Sequence, residues 1–485
     1  MEHTQKLVER IIHNLDRQLG ALRYEMRIWQ EHTQDHLKEH VHQLEELRLW
    51  TEALLPESLD ELRSLHDAPT FFEKSYELQA LISGVLEVWE YYRDRFELNF
   101  GPLTRYQTWI SGAEWVAADC YETAMEHARQ LDLAISTPRS TSPLLQLESQ
   151  GGLPQSVANL RMTSPVTLPR QFAPVPIIVL PANLMANSWG FLALHHEVGH
   201  DVMADLGWSD GALAEYGMVV LKPLLEAQGV PPERALHWCG WLSELYADFF
   251  ALWLAGPAFT GYMLETLALP KVEVQRRSER PSRYPAPFLR IHILLKVLES
   301  HKLKGSGSSR TTSKSRADYQ KRVQGYLHTW KTLYDADDAL STVFAGFLED
   351  LQTALPLLLD TPMFKAPFGE KIPFRDLCLY GSTEHDAVTR AAGDWPREPA
   401  QGAEAQIAPR LIASAARFAF EELFAAGAVS ADLPARLETL QNTVLQAIQK
   451  NKPSPTLKAF DAELGPRSQA LADRFRKALL EAYTR

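Results

Sequence analysis

Apolar positions recur at helical spacing over most of the chain, broken by proline- and glycine-rich stretches, and this predicts a mainly α protein. The first stretch sets Val8, Ile12, Leu15, Leu19, Leu22, Met26 and Trp29 at alternating steps of four and three, an a/d seam of about three heptads. It fades over 30–36 and returns at Leu37, Val41 and Leu44, so residues 1–55 read as one or two long helices. Such a seam ordinarily packs inside its own domain; the alternative is self-association through the N-terminal helices. His32, His36 and His40 share a face of this region. With no carboxylate or cysteine context to close a metal site, that stripe reads as a solvated polar face. Pro56 ends the segment, and Leu78, Leu81, Ile82, Val85, Leu86 and Trp89 carry the periodicity on toward residue 135.

Residues 136–174 change character. The run Ser136-Thr137-Pro138-Arg139-Ser140-Thr141-Ser142-Pro143 and the later Gly151-Gly152-Leu153-Pro154 read as loop and mark a boundary. Val175-Pro176-Ile177-Ile178-Val179-Leu180-Pro181 is the best strand in the chain. Pro176 favours an edge position, where the strand can pair with an extended peptide; the alternative is an ordinary buried strand. A helix is expected from Ser188, a good N-cap, to Gly207, a good C′ residue. Gly199 inside it weakens the helix but lets a neighbouring element approach closely. After Pro231-Pro232-Glu233 a second helix runs to about Ala255, stopped by Gly256-Pro257. Its apolar residues, among them Trp238, Leu242, Leu245, Phe249, Leu252 and Trp253, cover almost the whole circumference, so it is buried. Gly305-Ser306-Gly307-Ser308-Ser309, with Arg310 to Lys314, reads as a flexible basic loop. Periodicity resumes over 316–360, lapses into an irregular stretch over 361–400, and ends in about three helices, including 403–426 and 464–483. The expected organisation is a helical region at 1–135, a core at 136–304, a linker at 305–315 and a helical region at 316–485.

Composition narrows the classes. At 485 residues, with 45% hydrophobic and 10% aromatic content, the chain is globular and large enough for a substantial core. A net charge of −12 argues against a nucleic-acid partner. Cys120, Cys239 and Cys378 lie far apart with no CxxC pair, which suits a reducing compartment. No signal peptide is visible and no run of about 18 apolar residues exists, so a cytoplasmic protein with no membrane partner is expected.

Against this background one stretch carries chemistry: Leu194-His195-His196-Glu197-Val198-Gly199-His200-Asp201. On a helix, residues i and i+4 lie about 40° apart around the axis, so His196 and His200 project from one face and can chelate one zinc ion. Glu197 sits beside them and can hold a water against that metal. His195 points about 100° away from His196 and reads as packing or support. A third ligand is needed. The zincin class with a third motif histidine would need it at position 206, where Leu206 stands. Glu244 and Asp248 offer a better answer, because they share one face of an apolar helix at i, i+4. Burying an unpaired carboxylate costs several kcal/mol, so two of them demand cationic partners: a zinc ion for Glu244 and an imidazole N–H for Asp248.

His196-Glu197-x-x-His200, followed 44 residues after His200 by Glu244-x-x-x-Asp248, resembles the gluzincin group of zinc metallopeptidases over roughly 175–300. The resemblance implies a zincin-like core with a small β-sheet, flanked by N- and C-terminal helical regions. It makes His196, His200 and Glu244 the ligands of one Zn2+ per chain, Glu197 the general base and proton shuttle, and Asp248 the orienter of a ligand histidine. The implied reaction is hydrolysis of a bond in a peptide or protein substrate by a metal-activated water. A donor for the developing oxyanion is still required. Tyr284, Arg290 and His292, together at the start of a helix, are the first candidates, with Tyr262 and His237 behind them. Two other readings share the motif: a non-catalytic binding or scaffold protein that keeps the metal fold, and a zinc hydrolase of a non-peptide amide or ester.

Overall fold

The computed structural model describes residues 2–35, 40–56, 58–65, 67–97, 104–135, 143–148, 155–156, 159–161, 167–169, 175–181, 187–276, 282–301, 303, 310–336, 338–365, 371–395, 406–425, 432–452 and 461–483. Helices dominate them, as the apolar periodicity predicts. The N-terminal seam lies on the helix Glu2–Asp35. Leu15, Leu19, Leu22 and Met26 are buried in one apolar cluster with residues of the helices Val41–Leu54 and Ala68–Glu97, so the seam is occupied by packing within the chain. The C-terminal helix Asp461–Tyr483 completes this cluster: Phe475 packs on Trp50, ring centroids 5.0 Å apart. The two ends of the chain therefore share a core, which the expected division into terminal regions did not foresee.

His40 corrects the expectation of a solvated histidine face. It is buried, with Nε2 3.8 Å from Glu114 Oε2, and burial together with Arg95 holds its pKa down at about 3. The His32 side chain and His36 lie outside the described residues. The helix Thr104–Gln130 buries Ile110, Val116, Cys120 and Tyr121 in the larger core, the one that holds the motif.

Part of the stretch read as loop is strand. Ile177–Pro181 is the middle strand of three, parallel to Leu144–Glu148 and antiparallel to Gln155–Ser156. The edge position expected from Pro176 is thus not found. Pro176 sits just before the strand and contributes only its carbonyl, which accepts the Leu144 N–H at 2.8 Å, so no ladder donor is lost. On its second side Gln155–Ser156 pairs with Val179 and Ile178, so over those residues the strand is not a free edge for a peptide. Asn159–Arg161 and Thr167–Pro169 form a separate two-stranded ribbon, while 136–142 lie outside the described residues.

The motif helix is Leu192–Asp205, entered through a 3-10 turn at Ser188–Phe191 and ended before Gly207 at φ +90°. Ser188 does not cap it; the residue is buried and its N–H donates to Gln441 Oε1 at 2.7 Å. The single helix expected after Pro231 is two, Pro232–Gly240 and Leu242–Ala255, with Trp241 at φ −88°, ψ −6° between them. The second of these is buried, as its apolar circumference requires.

Farther on, the helix Arg310–Tyr334 begins at Arg310, so Arg310 to Lys314 belong to it and not to a linker. Its early turns are tied down by Ser315 Oγ, which donates to Asp386, and by Tyr319 OH, which donates to the Leu298 carbonyl at 3.1 Å. Residues 305–309 lie outside the described residues. The stretch expected to be irregular holds a two-stranded ribbon, Pro362–Lys365 with Lys371–Pro373, and a helix, Ser382–Asp394, whose Glu384 accepts the Gly381 N–H at 2.9 Å. The three final helices are Pro409–Ala425, Leu433–Lys450 and Asp461–Tyr483. Among the described residues no helix is long and apolar enough to cross a membrane, and the three cysteines are free thiols.

Candidate metal centre

The motif helix and Leu242–Ala255 pack directly on each other. Gly199 makes this contact close: a Cβ there would lie 3.1 Å from Ala247 Cα and 3.1 Å from Phe250 Cβ. The far side of the motif helix is anchored by Asp205, which accepts from Tyr121 OH at 2.6 Å. With the helices at this spacing, Glu244 comes under the two imidazoles. Its Oε2 is 3.3 Å from His196 Nε2 and its Oε1 is 3.7 Å from His200 Nε2. One ligand atom from each of His196, His200 and Glu244 lies within 4.8 Å of the others. Behind His196, Nδ1 is 2.8 Å from Asp248 Oδ1. The three residues expected as ligands, and the aspartate expected behind them, are therefore brought together as a candidate metal-binding group.

The charges at this site are balanced by more cations than the sequence suggested. Arg290 donates to Asp248 through Nε at 2.7 Å and Nη2 at 2.8 Å, a bidentate pair, and its Nη2 is 3.8 Å from Glu244 Oε2. Arg283 Nε donates to Glu244 Oε1 at 2.6 Å, and Arg283 Nη2 is 3.7 Å from Asp210. Burial pushes the Asp248 carboxyl up, but Arg290 and His196 outweigh it and hold it below its ordinary value. Glu244 behaves likewise: burial raises it, while His196, Arg290 and Arg283 bring it down. Burial pulls His196 down, and the bonds to Asp248 and Glu244 reverse this and raise it to about 10. Two carboxylates thus select for positive charge at His196 Nε2, where a proton stands in for a cation.

The donor set suits zinc. Two imidazole nitrogens and one carboxylate make the three-protein-ligand arrangement that leaves a position for water. Glu244 Oε2 is buried beside both imidazoles and accepts no well-aligned hydrogen bond, as expected of a ligand atom that faces a cation.

Glu197 is buried next to His196. Burial raises the phenols of both Tyr262 and Tyr284; the Glu197 carboxylate adds to the rise at Tyr262, and Glu244 and, less, Glu197 add to it at Tyr284. Tyr284 is 53% exposed, and its ring lies 5.6 Å from the Arg290 guanidinium carbon. The other candidates move away from the chemistry. Arg290 is engaged by Asp248, so it orients that carboxylate and is not open to a substrate. His292, about 200° round the helix from Arg290, packs on Phe288 at 4.5 Å and feels Lys331 and Asp335. His237 lies between Trp241 and Phe347, at 5.8 and 5.7 Å, outside the ligand cluster. His195 Nε2 meets the Arg410 carbonyl at 3.1 Å, and burial holds its pKa at about 4, so it is a packed neutral ring.

Arg283 and Asp210 were not singled out from the pattern. Arg283 stands beside Tyr284, one of the first oxyanion candidates, but no spacing rule ties it to Glu244. Asp210 follows Ser209, whose side chain caps the helix Asp210–Tyr216; that local signal says nothing of a distant arginine. Comparison with known proteins finds no matching family model, no matching curated protein and no matching solved structure.

Proposed function

We propose that this chain is a zinc-dependent peptidase with a zincin-like core, cleaving peptide bonds by general-base hydrolysis. The observation that carries this is the convergence of His196, His200 and Glu244 on one point, with Glu197 next to His196 in the motif and Asp248 behind His196. His196, His200 and Glu244 would hold the zinc ion, which would supply Lewis acidity to polarise a carbonyl and acidify a water near neutral pH. Asp248 holds the His196 ring by Nδ1 and leaves Nε2 pointing at the ligand point; Arg290 fixes Asp248 from the other side. The Glu197 carboxylate takes a proton from the attacking water and returns it to the leaving nitrogen. Tyr284, half-exposed at the site, supplies an O–H for the developing oxyanion, with Tyr262 next in line.

The test pairs metal analysis with turnover. Wild type and Glu197→Gln each hold one zinc per chain; Glu197→Gln loses peptide hydrolysis by at least about 100-fold, and Glu244→Ala loses the metal. Full turnover in Glu197→Gln, or zinc retained undiminished in Glu244→Ala, refutes the assignment.

One observation favours a second reading. Arg283 and Arg290 already pair with Glu244 and Asp248, so much of the carboxylate charge in the cluster is balanced without a metal. A scaffold protein built on that cluster takes up no zinc at micromolar concentration, which the same metal analysis reads directly.

A further inference from the structure

A cavity of about 500 Å³ shares one wall with the candidate metal centre. The wall is the segment 282–287, braced by Ser282 Oγ, which donates to the Tyr284 carbonyl at 2.7 Å. From this segment Arg283 reaches Glu244, while Pro285, Ala286 and Pro287 line the cavity. Tyr284 belongs to both, since it lines the cavity and sets its ring 5.6 Å from the Arg290 guanidinium. Trp241 makes a second connection. It lines the cavity and immediately precedes the helix that carries Glu244.

The interior is aromatic. Trp241 and Phe347 lie 5.3 Å apart, and His237 meets Phe347 edge-on at 5.7 Å. Among the described lining residues the charged ones are Glu273 and Arg276, which pair with each other at 3.3 Å and have side chains 46% and 77% exposed, so the charge stays at the mouth. The volume falls within the roughly 300–1,000 Å³ usual for ligand pockets. Aromatic walls of this kind favour another ring in offset or edge-to-face contact, and they give a buried charge no partner.

We infer that this cavity binds a large apolar side chain of the substrate, aromatic above all, next to the bond that the metal centre attacks. The choice of bond rests on the proposed peptidase reading; the binding preference does not. A carboxylate or ammonium side chain is rejected, because entering the cavity strips its water and offers no counter-charge inside.

The probes are acetyl-Ala-Ala-Phe-Ala-Ala-amide and its analogues with Ala or Asp at the central position. Their binding to zinc-loaded Glu197→Gln protein is measured by calorimetry, without turnover. The Phe peptide binds roughly 10- to 100-fold more tightly than the Ala peptide, as expected for burying one aromatic side chain, and the Asp peptide binds no better than Ala. Leu269, 39% exposed, lines the cavity, so Leu269→Arg places a charged chain there without touching the buried core. It brings the Phe-to-Ala ratio close to one with zinc content unchanged. Phe347→Ala enlarges the cavity and lowers the same ratio. Equal affinity of the Phe and Ala peptides, or a ratio that survives both substitutions, overturns the inference. Phe-selective binding with no hydrolysis by wild type leaves the cavity assignment standing and sinks the peptidase reading alone.

Discussion

Asp248→Asn tests the inner wiring of the site. Asp248 is fully buried and accepts two hydrogen bonds from Arg290, at 2.7 and 2.8 Å, while lying 2.8 Å from His196 Nδ1. Asparagine keeps the shape but removes the charge, and its amide NH2 turns one acceptor into a donor aimed at another donor. The Arg290 side chain, 9% exposed, is left as a buried cation. Removing one partner of such a pair costs about 3–5 kcal/mol. Glu244, 3.8 Å from Arg290 Nη2, takes up part of the charge, so the expected loss lies near the lower end, about 3 kcal/mol. The His196 ring also loses its orienting carboxylate, which weakens zinc binding by about 10- to 100-fold. Urea unfolding of the metal-free protein reads the first quantity, and competition with a zinc chelator reads the second. Adding Arg290→Met to Asp248→Asn removes the stranded cation and restores part of the stability, so the two changes are non-additive by about 1–3 kcal/mol. If Asp248→Asn unfolds at the wild-type urea concentration and keeps the wild-type zinc affinity, the ion-pair account of the site is wrong.

Gly199→Ala sets a helix-propensity gain of about 1 kcal/mol against overpacking of about 1–3 kcal/mol, because the new Cβ meets backbone at Ala247 Cα; the outcome is a net loss of up to about 2 kcal/mol in urea unfolding, and a stabilised variant would show that the helices are not in close contact. His196 carries a pH signature in the metal-free protein. Its pKa is raised from 6.5 to about 10, so its contribution to stability is complete below about 6.5 and is lost as pH rises through 10. Zinc must displace that proton, so uptake at pH 7.5 releases about one proton per ion from this ring, read by calorimetry in buffers of different ionisation enthalpy; the absence of proton release would count against His196 as a ligand. Tyr284→Phe lowers kcat by about 100-fold or more if its O–H stabilises the oxyanion, whereas His292→Ala, directed away from the site, stays within about twofold of wild type. The reverse ranking in a peptide-hydrolysis assay would return the role to His292.

Much of this protein is local and therefore legible in the residue order. Helical periodicity identifies most helices, because burial of one face repeats every three or four residues. The same arithmetic puts His196 with His200, and Glu244 with Asp248, on common faces before any coordinates are known. Gly199 marks the close approach of the motif helix to its neighbour, since a missing Cβ is a local property with one common use. Tertiary structure decided the rest. Whether Ile177–Pro181 is an edge or a centre depends on strands that come from elsewhere in the chain: Leu144–Glu148 pairs along one side, and Gln155–Ser156 pairs with Ile178 and Val179 on the other. Whether Arg290 faces a substrate or a carboxylate depends on a partner 42 residues away, and no spacing rule spans that distance. The same holds for Arg283 on Glu244, for His40 buried near Glu114, and for the C-terminal helix packed on Trp50. Periodicity says which face of an element is buried; only the packed fold says against what, and it is the partner that makes a buried arginine the support of a carboxylate and brings Glu244 to His196 and His200.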